Sequence, residues 1–225
     1  MRLAIQIPIK YKSSTRVPNK NFRDLNGKPL CYWLLDRIVT ELPESWDIFI
    51  DSEDPSVFEN LSSSHKKRFR FFQRESWFAG DAANGNHLIN QFAIYNPDYE
   101  VYAQLYVTAV ALTARTIYES LTAFFENRDC YDSMFLATEE TGWFWYKGQS
   151  LNYCHDKANG LPRSQDATVL KETTGLYAIS RDAVFRTACR IGQIPLIYNI
   201  SKAEALDIDT MEDFREAEKL LTPAN

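Results

Sequence analysis

No cysteine in this chain has a neighbour with which to share a metal or close a small loop. Cys31, Cys130, Cys154 and Cys189 are widely separated and form no CxxC pair, which argues against a zinc site and a disulfide framework and fits a reducing, cytoplasmic setting. Glycine is scarce, with eight dispersed residues, and neither GxGxxG nor GxxxxGKS occurs. The chain therefore carries neither the dinucleotide fingerprint nor a Walker loop. The apolar run at the amino end stops after seven residues at Lys10, too short for a signal-peptide core or a membrane span. Positive charge is also in deficit: 25 Lys and Arg against 30 Asp and Glu leave a net charge of −5, which disfavours nucleic acid as a partner. No low-complexity tract or linker composition appears. With 45% apolar residues in 225, the whole chain, residues 1–225, is expected to fold as a single domain around one core.

The charge that is present is unevenly placed. Lys10, Lys12, Arg16, Lys20, Arg23 and Lys28 put six cations into nineteen residues against one acid, Asp24. Such a patch in an acidic protein suits a small polyanion, because Lys and Arg give charge-assisted hydrogen bonds while Ser13, Ser14, Thr15 and backbone amides fill the gaps. Charge alone also describes a solvated basic loop, the commoner case.

Strand and helix patterns alternate along the chain. Leu3–Ile9 reads as a central parallel strand, and Leu30, Trp33, Leu34, Ile38 and Leu42 follow the helical period, with Pro29 in the first turn. Strands are expected at 46–50, 69–72, 100–107, 132–138, 173–180 and 194–200. Helices are expected at 54–61, at 86–95, around Ile117–Phe125, over 181–192 where Gly192 stops the helix, and from about Met211 onward. That alternation predicts a doubly wound, mostly parallel α/β sheet whose ligands sit at the carboxyl ends of the strands. One segment breaks the rhythm: residues 141–156, TGWFWYKGQSLNYCHD, read as a β-hairpin. It either covers part of the sheet or serves as a dimerisation arm, and an exposed aromatic ribbon favours the arm.

Near the carboxyl end, EALDIDTMEDF places Asp207 and Asp209 two residues apart. In extended backbone such side chains share a face and can hold one hard, oxygen-seeking cation such as Mg2+. Thr210 and Asp213 have the spacing of a helix capping box, which leaves Asp207 unexplained. On spacing alone both readings stand.

The stretch IPIKYKSSTRVPNKNFRDLNGKPL closely resembles the amino-terminal nucleotide-binding motif of CMP-sialate and CMP-Kdo synthetases, typically IPARxxSKRIPxKNxxxLxGKPL. DIDTMEDF resembles that family's second signature. The resemblance implies a Rossmann-like nucleotidyltransferase that joins CTP to a 2-keto sugar acid and releases pyrophosphate. It implies that Lys10, Ser14, Arg16, Lys20 and Asn21 bind the nucleotide, with Lys20 also catalytic, and that Asp207 and Asp209 are catalytic Mg2+ ligands. This loop departs from the pattern by one extra residue and by Thr15 in the usual Lys position, beside Arg16.

Further segments extend the likeness. RESWFAGD resembles RPxxLAxD and implies that Arg74 and Asp81 contact the cytidine, with Asn84 and Asn86 available to read base or ribose edges; His87, a lone histidine at a helix start, reads as a surface or capping residue. AQLYVTAVALTARTI resembles QLxPTSPFLxxxxI, which places Gln104 and Thr108 at the sugar acid, although Ala109 and Val110 replace the Ser-Pro pair. In LPRSQDATVLKETTGLYAIS, Arg163 is the expected carboxylate partner, ahead of Gln165, Lys171 and Glu172. The expected partners are thus CTP and a 2-keto sugar acid, in a homodimer without nucleic acid or membrane. A glycosyltransferase with a metal-binding DxD, or a non-catalytic nucleotide-sugar-binding relative, would share parts of this pattern. Pyrophosphate release separates the first, and CTP binding without turnover marks the second.

Overall fold

The computed structural model describes residues 2–11 and 16–221. The first half contains β1 (Leu3–Pro8), β2 (Asp24–Leu25), β3 (Lys28–Pro29), α1 (Leu30–Glu41), β4 (Asp47–Ser52), α2 (Ser56–Glu59), α3 (Ser63–Arg68), β5 (Arg70–Gln73), α4 (Gly85–Tyr95) and β6 (Val101–Leu105). The second half contains α5 (Ala114–Glu126), β7 (Ser133–Thr141), β8 (Trp145–Tyr146), β9 (Gln149–Ser150), β10 (Thr168–Ser180), α6 (Arg181–Thr187), β11 (Pro195–Asn199) and α7 (Met211–Leu220).

Seven strands make one sheet in the order β11-β7-β10-β6-β1-β4-β5. β1 pairs parallel with β4 and β6, β4 with β5, and β7 with β11, whereas β10 runs antiparallel to both its neighbours. The expected mostly parallel α/β sheet is the observed one. Period-two alternation divides its residues between two apolar layers. Ile5, Ile7, Ala103 and Leu105 pack with Leu34, Leu35 and Ile38 of α1 and Leu121 and Phe124 of α5. Ala4, Phe49, Tyr102 and Ile179 face Ile89 and Phe92 of α4 and Val184 of α6. Strand order reverses at β1, so the crevice between the carboxyl ends of β1 and β6 is the topological switch point.

Two differences from the sequence expectations have local causes. The helix after β10 ends at Thr187, five residues before Gly192, and Ala188 closes it in a left-handed conformation at φ 53°. Gly192 serves close approach: a Cβ there would lie 2.3 Å from Asp132 Oδ1, a carboxylate that accepts the amides of Gln193 at 2.9 Å and Ile194 at 3.0 Å. The unexpected helix α3 is only six residues long, too short to show a period, and Ser62 caps it through the His65 amide. The aromatic insert does form a hairpin, β8 against β9. Lys147 and Gly148 supply the two positive φ values, 49° and 82°, of the turn type that matches strand twist. Trp143, Trp145, Tyr146 and Leu151 are exposed on it.

Two outcomes follow from this packing. Gly192→Ala is expected to lower stability by about 1–3 kcal/mol through overpacking against Asp132, read as a shift in the urea midpoint. Cys31 is fully buried in α1, and burial pushes its thiol pKa up to about 12. At pH 8 a thiol reagent should label exposed Cys130 and Cys154 rapidly and Cys31 only on unfolding; rapid native labelling of Cys31 would contradict the packing.

Candidate active site

The switch point opens into a cleft of about 360 Å³. Lys10, Arg16, Lys20 and Asn21 reach it from the chain that follows β1, and Arg74 and Asp81 from the chain that follows β5. Tyr106 and Thr108 enter from the turn after β6, and Asp207 and Asp209 from the stretch before α7. Residues from four distant segments therefore meet at one place. Ser14 lies outside the described residues.

Asp207 and Asp209 sit on a stretch of backbone that joins neither strand nor helix. Ile208 between them is fully buried with Val110 and Phe214, and its amide donates to the Thr108 carbonyl at 3.1 Å. The middle side chain is pinned inward, and its two neighbours line the cleft. Asp209 Oδ1 accepts from Arg16 Nη2 at 2.9 Å and Lys20 Nζ at 3.2 Å, and Lys20 Nζ also donates to the Ile208 carbonyl at 2.6 Å. Asp207 Oδ2 accepts the Thr174 hydroxyl at 2.5 Å, while its Oδ1 is buried without a hydrogen-bond partner. A buried anionic oxygen left unsatisfied is costly, and a cation would satisfy it. Thr210 and Asp213 form a reciprocal capping box on α7, so the capping reading holds for those two residues.

Beneath the cleft lies a row of buried polar side chains on the α4 side of the sheet. Gln6 on β1 donates to the Asp51 carboxylate on β4 and accepts from Gln104 on β6 at 2.9 Å. Gln104 in turn accepts the Tyr106 hydroxyl at 2.6 Å. At the other end Arg74, fully buried, donates to Asp51 Oδ1 at 3.1 Å and to Glu53 at 2.6 Å. Two expectations change here. Gln104 is fully buried and bonded to Gln6, Gly85 and Tyr106, so it is not among the residues that line the cleft and it holds Tyr106 in place. Arg74 lies in the cleft wall, but its guanidinium ends point inward to carboxylates. Arg163 is exposed beside the insert, just before a short turn at Ser164–Asp166, and lines neither the cleft nor the larger cavity described next.

That larger cavity, about 830 Å³, shares Thr174, Asp207 and Asp209 with the cleft and extends between the β7–β10 ribbon and α7. The ribbon slips register between Glu172 and Tyr177, and Thr174 lies in the slipped segment and turns toward Asp207. Sequence reasoning missed Thr174 and Tyr106, because both read as ordinary strand residues; the glycine after Thr174 was the available signal. Asn84 and His87 form the capping box of α4, and Asn86 accepts the Arg190 amide at 3.0 Å. Ala109 and Val110 are buried in the core.

Burial pushes the Asp51 carboxyl up to about 6 against an ordinary 3.8, with the Arg74 charge opposing it. The folded chain therefore holds a proton there that the unfolded chain has released, and this group's contribution to stability is lost as pH rises from about 4 to about 6. Asp51→Asn should flatten that part of the pH–stability curve; an unchanged slope would show that another group is responsible.

A mostly parallel sheet with cations and paired carboxylates at its switch point defines an α/β nucleotidyltransferase. A family model described as cytidylyltransferase matches residues 7–223, and the chain belongs to that family. It is 24% identical over 226 residues to the pseudaminic acid cytidylyltransferase of Campylobacter jejuni subsp. jejuni serotype O:23/36 (strain 81-176), across 94% of this chain and 93% of that protein. Its fold is similar to that of CMP:2-keto-3-deoxy-manno-octonic acid synthetase complexed with CTP, with TM-score 0.68 at 14% identity over 98% of each chain. It is also similar to 4-diphosphocytidyl-2C-methyl-D-erythritol synthase from Anaerococcus prevotii DSM 20548, with TM-score 0.67 at 11% identity over 97% of this chain and 95% of that one.

Proposed function

We propose that this cytidylyltransferase activates a 2-keto sugar acid: the anomeric oxygen attacks the α-phosphorus of CTP, the α–β bridging P–O bond breaks, and pyrophosphate leaves with the electron pair. The observation that carries this reading is the convergence of Lys10, Arg16 and Lys20 with Asp207 and Asp209 in one cleft at the switch point. The relative named for pseudaminic acid, matched over nearly its whole length, supports a sugar acid as acceptor. The cleft takes the nucleotide, and the adjoining cavity of about 830 Å³ takes the acceptor. Asp207 and Asp209 form part of the wall shared by the two, where the α-phosphate must lie.

The chain's own residues bind and orient. Lys10, Arg16 and Lys20 neutralise the triphosphate, and Asn21, whose amide donates to the Lys10 carbonyl at 2.9 Å, holds the loop's shape. Little covalent chemistry is asked of the protein, so rate comes from positioning and electrostatic stabilisation. Asp207 and Asp209 would hold Mg2+. The unpartnered Asp207 oxygen fits a cation, and among the described residues no group of three or more His, Cys, Asp or Glu is placed to hold a metal ion by itself. Two carboxylates completed by phosphate and water suit this ion. When bound it polarises the α-phosphate and acidifies the attacking hydroxyl. The same reading takes residues 1–225 as one catalytic domain, with the 141–156 hairpin as the arm of a cytoplasmic homodimer. Its exposed aromatics support the arm, and among the described residues no helix is long and apolar enough to cross a membrane.

Pyrophosphate release is the direct test, with CTP, Mg2+ and a panel of sialic, legionaminic, pseudaminic and Kdo-type acids, and ATP, GTP and UTP as controls. CTP-dependent release with at least one acid is expected; release with none would overturn the reading. Asp209→Ala should abolish release with the fold intact by circular dichroism, and retained Mg2+-dependent turnover would remove Asp209 from the metal site. Lys20→Ala should raise the KM for CTP about tenfold or more, the scale of one charge-assisted hydrogen bond.

A further inference from the structure

The acceptor's defining group is its carboxylate, bonded to the carbon that bears the attacking oxygen. Whatever binds that carboxylate must lie close to Asp207 and Asp209. Arg163, the residue expected for the task, lines neither cavity. Three lysines do line the larger one: Lys171, Lys202 and Lys219. Lys202 is paired with Glu140 at 2.6 Å, and Lys219 is already engaged. Lys171 forms no ion pair among the described residues, and its field reaches Glu140 only as a secondary influence behind the Lys202 bond.

Position also favours Lys171. It faces Thr138 across the β7–β10 ribbon, and both residues line the cavity. It precedes by three residues Thr174, whose hydroxyl donates to Asp207 at 2.5 Å. Three extended residues span about 10 Å, a gap that the lysine stem and the acceptor's own carboxylate cover together. Glu140, Glu172 and Thr138 on the same wall offer oxygen acceptors to sugar hydroxyls, so among the described residues Lys171 is the cation without an ion pair in a wall otherwise suited to a polyol.

We propose that Lys171 binds the acceptor's carboxylate and thereby sets the specificity for 2-keto sugar acids over neutral sugars. The inference rests on the function proposed above and assigns that site's acid selectivity to one residue. Lys171 is exposed, so its replacement leaves the core intact.

The test compares the acid that the wild-type chain turns over with the same compound as its C1 carboxamide. Lys171→Gln is expected to raise the KM for the acid about 10- to 100-fold, the range of a hydrogen bond to a charged group, with the KM for CTP unchanged. The variant should also lose most of the wild-type preference for acid over amide, and Lys171→Arg should restore most of it. A Lys171→Gln variant that keeps both the KM and the preference would overturn this inference and leave the cytidylyl transfer standing. A wild-type chain that releases pyrophosphate with no acid would remove the proposed function and this inference with it.

Discussion

The ammonium of Lys20 ties the two ends of the chain together. It donates to the Ile208 carbonyl at 2.6 Å and reaches Asp209 at 3.2 Å, joining the loop after β1 to the stretch before α7. The side chain is only 15% exposed, so water competes poorly for these bonds. Arg16 adds a second contact to the same carboxylate, but it is 65% exposed, and such a pair is worth at most about 1 kcal/mol. The arrangement is therefore firm at Lys20, where it positions the acidic stretch, and easily exchanged at Arg16, on the side where the proposed function would bring the triphosphate. Opposite charges that neutralise one another in the free protein are the groups that a polyanion and a divalent cation would separate.

The buried polar row keeps the floor of this cleft in one shape. Arg74, Asp51, Gln6, Gln104 and Tyr106 are linked by hydrogen bonds across β4, β1 and β6, at the carboxyl ends of the strands. Such a network is affordable only when nearly every member is satisfied. It also explains the glycine that opens α4: a Cβ on Gly85 would lie 2.6 Å from Arg190 Nη1 and 2.7 Å from the Tyr106 hydroxyl. Arg190 continues the row, donating to the Tyr106 hydroxyl at 3.3 Å and to Glu172 at 3.4 Å. Glu172 borders the larger cavity, so one chain of hydrogen bonds underlies both parts of the site.

Much of this was legible in the sequence. The apolar periodicities located the sheet strands and the longer helices, because burial on two faces or on one stripe forces period two or period 3.6. The cationic loop and the DxD pair were visible because both are contiguous. Short pieces such as α3, and the early end of α6 at Ala188, escaped, because a single turn has no period and a non-glycine residue can also take the left-handed cap conformation.

What the sequence determined by itself was the kind of side chain available: cations in the first loop, two carboxylates near the end, and strands that alternate with helices. Tertiary structure decided which of them share a cavity. Gln104 and Arg74 have the right chemistry for ligands, yet Gln104 is buried against Gln6, Gly85 and Tyr106, and Arg74, in the cleft wall, gives its guanidinium to Asp51 and Glu53. Lys171 and Thr174 look like strand residues, yet Thr174 lies where the ribbon slips register and Lys171 just before it, and both line the larger cavity. Local sequence sets what a residue can do, but neighbours that lie tens of residues away along the chain set whether its polar atoms are already satisfied. Only the folded chain contains that information.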